Sequence, residues 1–296
     1  MPDRRTLKLI SFGRNTAITA ATIHGLFERE GLAVETTETP NSTFQMRGLG
    51  NGEFDLASTA FDNVLAWSGR EGTEFVAVAH AAESIILPMC VRPEIKSWED
   101  LRGKPLAVDA VDTAYALVLR RLLREHGLEM ERGDYTLVPA GATGYRFESM
   151  EKGETFAAIL NPPWNRRAAE AGMPGFGDHR DVLPDYPGGT FAVSPAWAAE
   201  NRDALLGFLR ALAGALKWVH DPETRELAAA RVAAENGTTP EDTINAFARL
   251  PKELVLNVDG LRVVLDLRVQ FDLTPPMGPD IASYYDTSYA DAALAF

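Results

Sequence analysis

The fold is decided first by residues 7–37, which read LKLISFGRNTAITAATIHGLFEREGLAVETT. The apolar run Leu7–Phe12 predicts a strand, the spacing of apolar residues over Thr16–Glu30 predicts a helix, and Ala33–Thr37 predicts a second strand. Gly31 lies directly after the helix, at the position where a left-handed residue ends many helices. This strand–helix–strand unit is typical of a parallel sheet covered by helices.

The same alternation continues along both halves of the chain, and the residues after about position 194 are almost entirely helical in period. A chain of 296 residues is long for one core and suits two modest domains. We therefore predict an α/β fold of two lobes, each a mostly parallel sheet flanked by helices, with a helical C-terminal tail. The predicted division gives residues 1–87 and 193–296 to the first lobe and 88–192 to the second.

Four blocks, in chain order, resemble those of type II periplasmic binding proteins, and the fourth has two parts near the end of the chain. The match is to the alkanesulfonate/nitrate/taurine branch of the substrate-binding proteins of ABC transporters, which includes the SsuA and THI5-like (NMT1) proteins. The blocks are Gly25–Leu32, Gly52–Ala57, Ile95–Lys104, Val264–Leu267 and Tyr284–Asp286.

The resemblance implies a two-lobed fold with two crossover strands, which on this sequence fall near Leu87–Arg92 and Thr190–Ser194. It also implies that the ligand lies in a cleft between the lobes, at the carboxyl ends of the sheets, and that the lobes close about the hinge. The chain departs from some relatives. It lacks the Cys-rich block of the THI5 enzymes, and it has Arg14-Asn15-Thr16 where related aryl-sulfinate desulfinases have a Cys.

Composition and motifs exclude several function classes. The formal net charge of −13 argues against a nucleic-acid partner, because phosphate binding needs a positive field. Cys90 is the single cysteine, and no His or Cys follows a His at metal-ligand spacing, so we predict no metal site. Nucleotide-binding and hydrolase motifs are missing from the sequence, and we expect no cofactor.

The localisation depends on how the chain begins. The N-terminus runs straight into the first strand without a leader-like apolar segment, which predicts a cytoplasmic protein for the sequence as written. If a leader has been removed, the protein would be periplasmic and its partner an ABC permease. No stretch approaches the roughly 18 apolar residues of a membrane span, so no transmembrane segment is expected.

Five polar segments lie between a predicted strand and the next helix, where α/β sheets bind their ligands. Their backbone N–H groups and hydroxyls suit a carboxylate or sulfonate, with an aromatic or heterocyclic ligand body as one alternative. The other interpretation is that these residues are ordinary helix caps and that the aromatic residues belong to the core. The predicted ligand-binding residues are Arg14, Asn15, Thr16, Thr43, Phe44, Thr59, Phe61, Asp62, Ser84, Asp112, Thr113, Tyr115, Asn161 and Trp164.

The leading prediction is a substrate-binding protein for a small organic anion, with Arg14 as the guanidinium that holds the anion. The main alternative is a cytoplasmic lyase on the same fold, a decarboxylase or desulfinase. In it Arg14 holds the anion and His80, Glu83 or Asp109 transfers a proton. His80 has a purely structural interpretation too, as an imidazole hydrogen-bonded to backbone. A third alternative is a sensor that docks a protein partner through its acidic surface.

Overall fold

The computed structural model describes residues 4–83 and 85–295, and its helices and strands form two compact units. The first unit comprises Met1–Ile85, Pro187–Leu261 and Pro275–Phe296, and the second comprises Ile86–Tyr186 and Arg262–Thr274. Each unit contains a five-stranded sheet with helices packed against it. This arrangement confirms the predicted α/β fold class.

The sheet of the first unit has the strand order β2-β1-β3-β10-β4. Strand β1 is parallel to β2 and β3, whereas β10 is antiparallel to both of its neighbours. In the first part of β1, Leu7 and Leu9 are buried and Lys8 between them is exposed, because successive side chains of a strand face opposite sides of the sheet; Ile10 and Ser11 at its end are buried as well. The strands are β1 Arg5–Ser11, β2 Leu32–Glu38, β3 Leu56–Ala60, β4 Val76–His80 and β10 Gly189–Val193.

The longest helix of the first unit, α9, lies at the centre of its core. Phe208 of α9 packs against Phe27 at 5.7 Å and against Phe191 of β10 at 5.3 Å between ring centroids. Trp218 stacks on His24 at 4.4 Å. The helices of this unit are α1 Thr16–Ile23, α2 Leu26–Arg29, α3 Ser42–Gly50, α4 Phe61–Trp67, α8 Pro195–Glu200, α9 Arg202–His220, α10 Arg225–Asn236, α11 Pro240–Phe247 and α13 Ser288–Leu294.

The sheet of the second unit has the strand order β7-β6-β8-β5-β9. Strand β6 is parallel to β7 and β8, and β5 is antiparallel to β8 and β9. Its strands are β5 Pro88–Val91, β6 Lys104–Val108, β7 Tyr135–Pro139, β8 Ala157–Ile159 and β9 Gly175–Asp178. Its helices are α5 Ala114–Glu125, α6 Thr143–Glu151 and α7 Trp164–Glu170, and the boundary between the units falls within α12 Val258–Gln270.

Two arginine side chains link the C-terminal part of α12, and the residues just after it, to the loop and helix that follow β6 in the second unit. Arg268 is almost completely buried and donates hydrogen bonds to the carbonyls of Asp112 and Leu273, both at 3.2 Å. The guanidinium of Arg120 lies 4.1 Å from the ring centroid of Phe271. The end of α12 is therefore attached to the loop and helix that follow β6.

Two features of the chain path differ from the sequence prediction. The predicted helix Thr16–Glu30 is two helices, α1 and α2, because Gly25 adopts a left-handed conformation with φ of 70° between them. Residues 262–274 pack with the second unit, whereas the predicted division gave all of 193–296 to the first lobe. The predicted crossover segment Leu87–Arg92 contains β5 and the segment Thr190–Ser194 overlaps β10, and each of these strands is antiparallel to its neighbours.

Among the helices that the structure describes, none has the length and apolar character needed to cross a membrane.

Candidate functional site

The candidate site lies at the carboxyl edge of the second unit's sheet. Strands β6, β7 and β8 run in one direction, so the segments that follow them emerge at the same edge. Asp109 follows β6, Thr143 begins the helix after β7, and Asn161 follows β8. The Thr143 hydroxyl donates a hydrogen bond of 2.6 Å to the Asn161 side-chain oxygen, which joins two of these segments directly.

Arg146 is the central residue of this edge. Its side chain is 2% exposed, and its Nη2 donates a hydrogen bond of 2.7 Å to the Thr143 hydroxyl. Its guanidinium lies 5.3 Å from the ring centroid of Tyr115, and its Nε is buried without a hydrogen-bond partner among the described residues. Burial lowers the pKa of Arg146, while the charges of Asp109 and Tyr115 raise it. Arginine has so high an intrinsic pKa that the group remains a cation.

The loop after β6 is held by its own hydrogen bonds. The Thr113 hydroxyl donates to the Asp109 carboxylate at 2.5 Å and approaches the Ala110 carbonyl at 3.0 Å. The backbone carbonyl of Asp112 accepts a hydrogen bond from Arg268. These contacts fix the position of the Asp109 carboxylate relative to the start of α5.

The two longer helices that begin at this edge start without a side-chain cap. Thr113 precedes α5 and Ala142 precedes α6, and neither side chain accepts a hydrogen bond from the first turn of its helix. Each uncapped helix start presents backbone N–H donors and about half a positive charge. Together with Arg146, these donors form a positively polarised edge suited to an anion.

The aromatic residues of this edge differ in how free they are. Tyr115 is partly buried, and burial raises its pKa to about 12. Trp164 packs against the backbone of Gly144, where an added Cβ would meet the indole at 2.9 Å. Arg167 covers the Trp164 ring at 4.6 Å, so the indole faces are already occupied within the unit. The Tyr115 ring lies against the Arg146 guanidinium, which places an aromatic side chain beside the buried cation.

The corresponding edge of the first unit is capped by its own asparagines. Asn15 accepts hydrogen bonds from the backbone N–H groups of Ala17 and Ile18 at 2.9 and 3.3 Å, and Asn41 accepts one from Phe44 at 2.9 Å. Asn15 and Asn41 are therefore the N-caps of α1 and α3, as in the alternative interpretation of these residues. Thr16 is half-buried in α1, and Thr43 and Phe44 are exposed in α3.

The predicted segment after β3 is largely internal. Thr59 accepts a hydrogen bond of 2.8 Å from the side-chain amide of Asn63, and its carbonyl accepts one from Thr190 at 3.4 Å. Phe61 is 1% exposed and Asp62 is 1% exposed. Phe61 therefore lies in the core.

The residues of the predicted lyase site have other partners. Arg14 is exposed, and its guanidinium donates a hydrogen bond of 3.1 Å to the carbonyl of Glu235. The Nε2 of buried His80 accepts a hydrogen bond of 2.8 Å from the backbone N–H of Asn257. Burial lowers the pKa of His80, against a raising effect of the Gly189 carbonyl and the Glu83 charge. Glu83 is exposed, and Ser84 lies outside the described residues.

The sequence prediction missed Arg146 and Thr143. The detectable signal is that Arg146 precedes Met150 by four residues and so shares the buried stripe of α6. A charged residue within an apolar stripe is a candidate for function, because a buried charge needs a partner. The predicted residues Asp109, Thr113, Tyr115, Asn161 and Trp164 lie around it.

The structure gives little support for metal or thiol chemistry. Within residues 4–83 and 85–295, no group of three or more His, Cys, Asp or Glu side chains is placed to hold a metal ion. Cys90 is buried in β5, and burial raises the pKa of its thiol to about 11, which keeps it protonated and unreactive.

The sequence profile of the NMT1-like family matches residues 4–233 of the chain. No curated protein matches the chain. Among solved structures, the alkanesulfonate-binding protein SsuA from Xanthomonas axonopodis pv. citri, bound to MOPS, aligns with a TM-score of 0.74. The alignment covers 96% of this chain and 99% of that chain at 17% identity.

Two further structures share the fold. The periplasmic nitrate-binding protein NrtA from Synechocystis PCC 6803 aligns with a TM-score of 0.79 at 13% identity, over 99% of this chain and 89% of that chain. The desulfurization enzyme DSZB aligns with a TM-score of 0.68 at 14% identity, over 99% of both chains. A single fold thus serves binding proteins and an enzyme.

Proposed function

The chain belongs to the NMT1-like family, and from that premise we propose that it binds a small organic anion as a substrate-binding protein. The ligand is a carboxylate or a sulfonate, held at the carboxyl edge of the second unit. An aromatic or heterocyclic ligand body would lie against Tyr115. The sequence prediction that the ligand occupies a cleft between the lobes stays a prediction.

One observation carries the proposal: a buried guanidinium lies among helix starts whose N–H groups have no side-chain cap. A buried cation with an unpartnered N–H is unfavourable by itself, because each unsatisfied buried donor costs about 1–3 kcal/mol. An anion at this edge would accept hydrogen bonds from Arg146 and from the starts of α5 and α6 together. Charge-assisted hydrogen bonds of this kind are roughly twice as strong as neutral ones.

The lyase alternative has weaker support from the contacts. Arg14 hydrogen-bonds the Glu235 carbonyl. The lone pair of His80 Nε2 accepts the N–H of Asn257, so in the neutral ring the other nitrogen, Nδ1, carries the proton and has no lone pair to act as a base. A general base needs a free nitrogen or oxygen within reach of the substrate proton. The fold shared with the desulfurization enzyme keeps catalysis as the second candidate, and turnover is therefore part of the test.

The similar solved structures suggest which protein partner this chain has. SsuA is described as an alkanesulfonate-binding protein and NrtA as a periplasmic nitrate-binding protein. By analogy, we propose that this chain delivers its ligand to an ABC permease and acts outside the cytoplasmic membrane. A cytoplasmic role would go with a ligand sensor or an enzyme instead.

The test is a thermal-shift screen of carboxylates and sulfonates, followed by mass spectrometry of each stabilising compound after incubation with the protein. A ligand present at about 100 times its Kd stabilises the folded state by about 2.7 kcal/mol. We expect several anions to raise the Tm and to be recovered unchanged. Consumption of the compound would identify an enzyme, and stabilisation by uncharged compounds alone would contradict the proposal.

A further inference from the structure

Arg146 and Asp109 carry opposite charges and lie near enough for the Asp109 charge to raise the pKa of Arg146, but among the described residues they form no ion pair with each other. Asp109 follows β6 and Arg146 lies in the first turns of the helix after β7, and these strands are neighbours whose ends are joined by the hydrogen bond from Ala140 to Val108 at 2.7 Å. Tyr115 lies under the guanidinium and senses the charges of both residues. Among the described residues, the side chains of Arg146 and Asp109 hydrogen-bond Thr143 and Thr113 rather than each other.

This edge has both a buried hydrogen-bond donor and a buried acceptor that lack partners among the described residues. The Arg146 Nε is a buried donor without a partner, and the Asn165 Oδ1, one residue after Trp164, is a buried acceptor without a partner among the described residues. One oxygen of Asp109 accepts from Thr113, which leaves the other oxygen able to accept a second donor. A simple oxyanion would satisfy Arg146 but would be repelled by the Asp109 carboxylate.

We propose that the ligand carries a hydrogen-bond donor, a hydroxyl or an amino group, next to its anionic group, and that Asp109 selects for that donor. This inference rests on the proposed function of the same edge. The anionic group binds Arg146 and the N–H groups of α5 and α6, and the neighbouring donor binds the free oxygen of Asp109. Asp109 is then a specificity-determining residue, because it disfavours anions that present only oxygens.

The choice of a donor-bearing ligand follows from the balance of charges. Arg146 and Asp109 sum to no net formal charge, so a group that bridges both residues gains more than a plain anion does. A site built to hydrogen-bond a ligand OH or NH group rejects the analogue that lacks it, since the site's polar atom is then left unpaired. Loss of a hydrogen bond to a charged group corresponds to roughly a 10- to 100-fold loss of affinity.

The test uses three probes that differ only beside the carboxylate: 3-phenylpropionate, 3-phenyllactate and phenylalanine. Their affinities are measured by titration calorimetry with the full chain and with Asp109→Asn. We expect the wild type to bind 3-phenyllactate or phenylalanine at least about tenfold more tightly than 3-phenylpropionate. In Asp109→Asn the preference should fall to within about twofold, as expected when the charged acceptor is removed.

A matched control is Glu148→Gln, which removes the same charge from an exposed position of α6 and should retain the full preference. Equal affinities of the three probes for the wild type, or a preference that survives Asp109→Asn, would overturn the role of Asp109 and leave anion binding intact. Failure of all three probes to bind the wild type would instead overturn the proposed function, and the inference with it. A Tm of Asp109→Asn close to that of the wild type shows that the variant is folded.

Discussion

The carboxyl edges of the two sheets differ in whether the helices that begin there are capped by side chains. In the first unit, Asn15 and Asn41 cap the helices α1 and α3, so their first-turn N–H groups have partners within the chain. In the second unit, α5 and α6 begin without such caps, and the buried Arg146 adds a cation beside them. The difference shows that a shared fold does not make both edges equal as anion sites, because only uncapped donors remain available to a ligand.

The two units also differ in how a long helix from the C-terminal part of the chain packs in each of them. In the first unit, α9 packs through aromatic and aliphatic side chains such as Phe208. In the second unit, α12 packs through Arg268, whose hydrogen bond to the Asp112 carbonyl reaches the loop that carries Asp109. The apolar packing of α9 therefore contributes to stability, whereas the hydrogen bond of Arg268 also holds the loop of the candidate site in position.

The largest expected effect on stability is in the first unit. Phe208→Ala should lower the free energy of unfolding by about 3–5 kcal/mol, because it removes a fully buried aromatic ring that contacts two others. Chemical denaturation measures the loss. Unchanged stability would contradict the central place of α9 in the core.

The next effect is in the second unit. Arg268→Met should lower the free energy of unfolding by about 2–4 kcal/mol, since two buried carbonyls lose their charged donor. Hydrogen exchange should rise in residues 109–125 and stay unchanged in residues 5–67 of the first unit. Arg120→Met is the control, because Arg120 contacts Phe271 directly after α12, whereas the Asp112 carbonyl accepts its hydrogen bond from Arg268. Faster exchange over 109–113 in both variants would remove the special role of Arg268.

Adding a cap to α6 and removing the cap of α1 tests which of the two sheet edges binds the anion. Ala142→Asp should cap α6 with a carboxylate and weaken anion binding about tenfold or more, while stability stays within about 1 kcal/mol of the wild type. Asn15→Ala removes the cap of α1. It should lower the free energy of unfolding by about 1 kcal/mol and leave the affinity for the anion unchanged. Calorimetric titration and denaturation of both variants measure the two quantities. Loss of affinity in Asn15→Ala would place the anion on the first unit.

The smallest effect is the pH dependence contributed by His80. Burial lowers the pKa of His80 below its ordinary value, so the unfolded chain takes up a proton before the folded one does as the pH falls. Stability from this group is therefore present above about pH 6.5 and is lost below it, at up to about 1.4 kcal/mol per pH unit. Urea denaturation at about pH 7.5 and 5.5 should show a smaller loss for His80→Asn than for the wild type. An equal loss in both proteins would contradict the assignment.

Much of the candidate site follows from sequence patterns, because parallel strands end at one edge and their following residues must meet there. Asp109, Tyr115 and Asn161 were predicted on that ground. Arg146 was not, since its burial depends on how α6 packs, and its sequence neighbours look like an ordinary surface helix. The attachment of residues 262–274 to the second unit escaped prediction for a similar reason: helical period does not specify which partner a helix packs against.

The most direct test of anion binding at Arg146 compares two arginines, one from each unit. Arg146→Met and Arg14→Met are titrated calorimetrically with the tightest-binding anion from the screen, and their Tm values are compared with that of the wild type. We expect at least about a 30-fold loss of affinity for Arg146→Met, because a buried charged partner of the anion is removed, and less than about a twofold change for Arg14→Met. Retained affinity in a folded Arg146→Met, or a large loss in Arg14→Met, would contradict anion binding at Arg146.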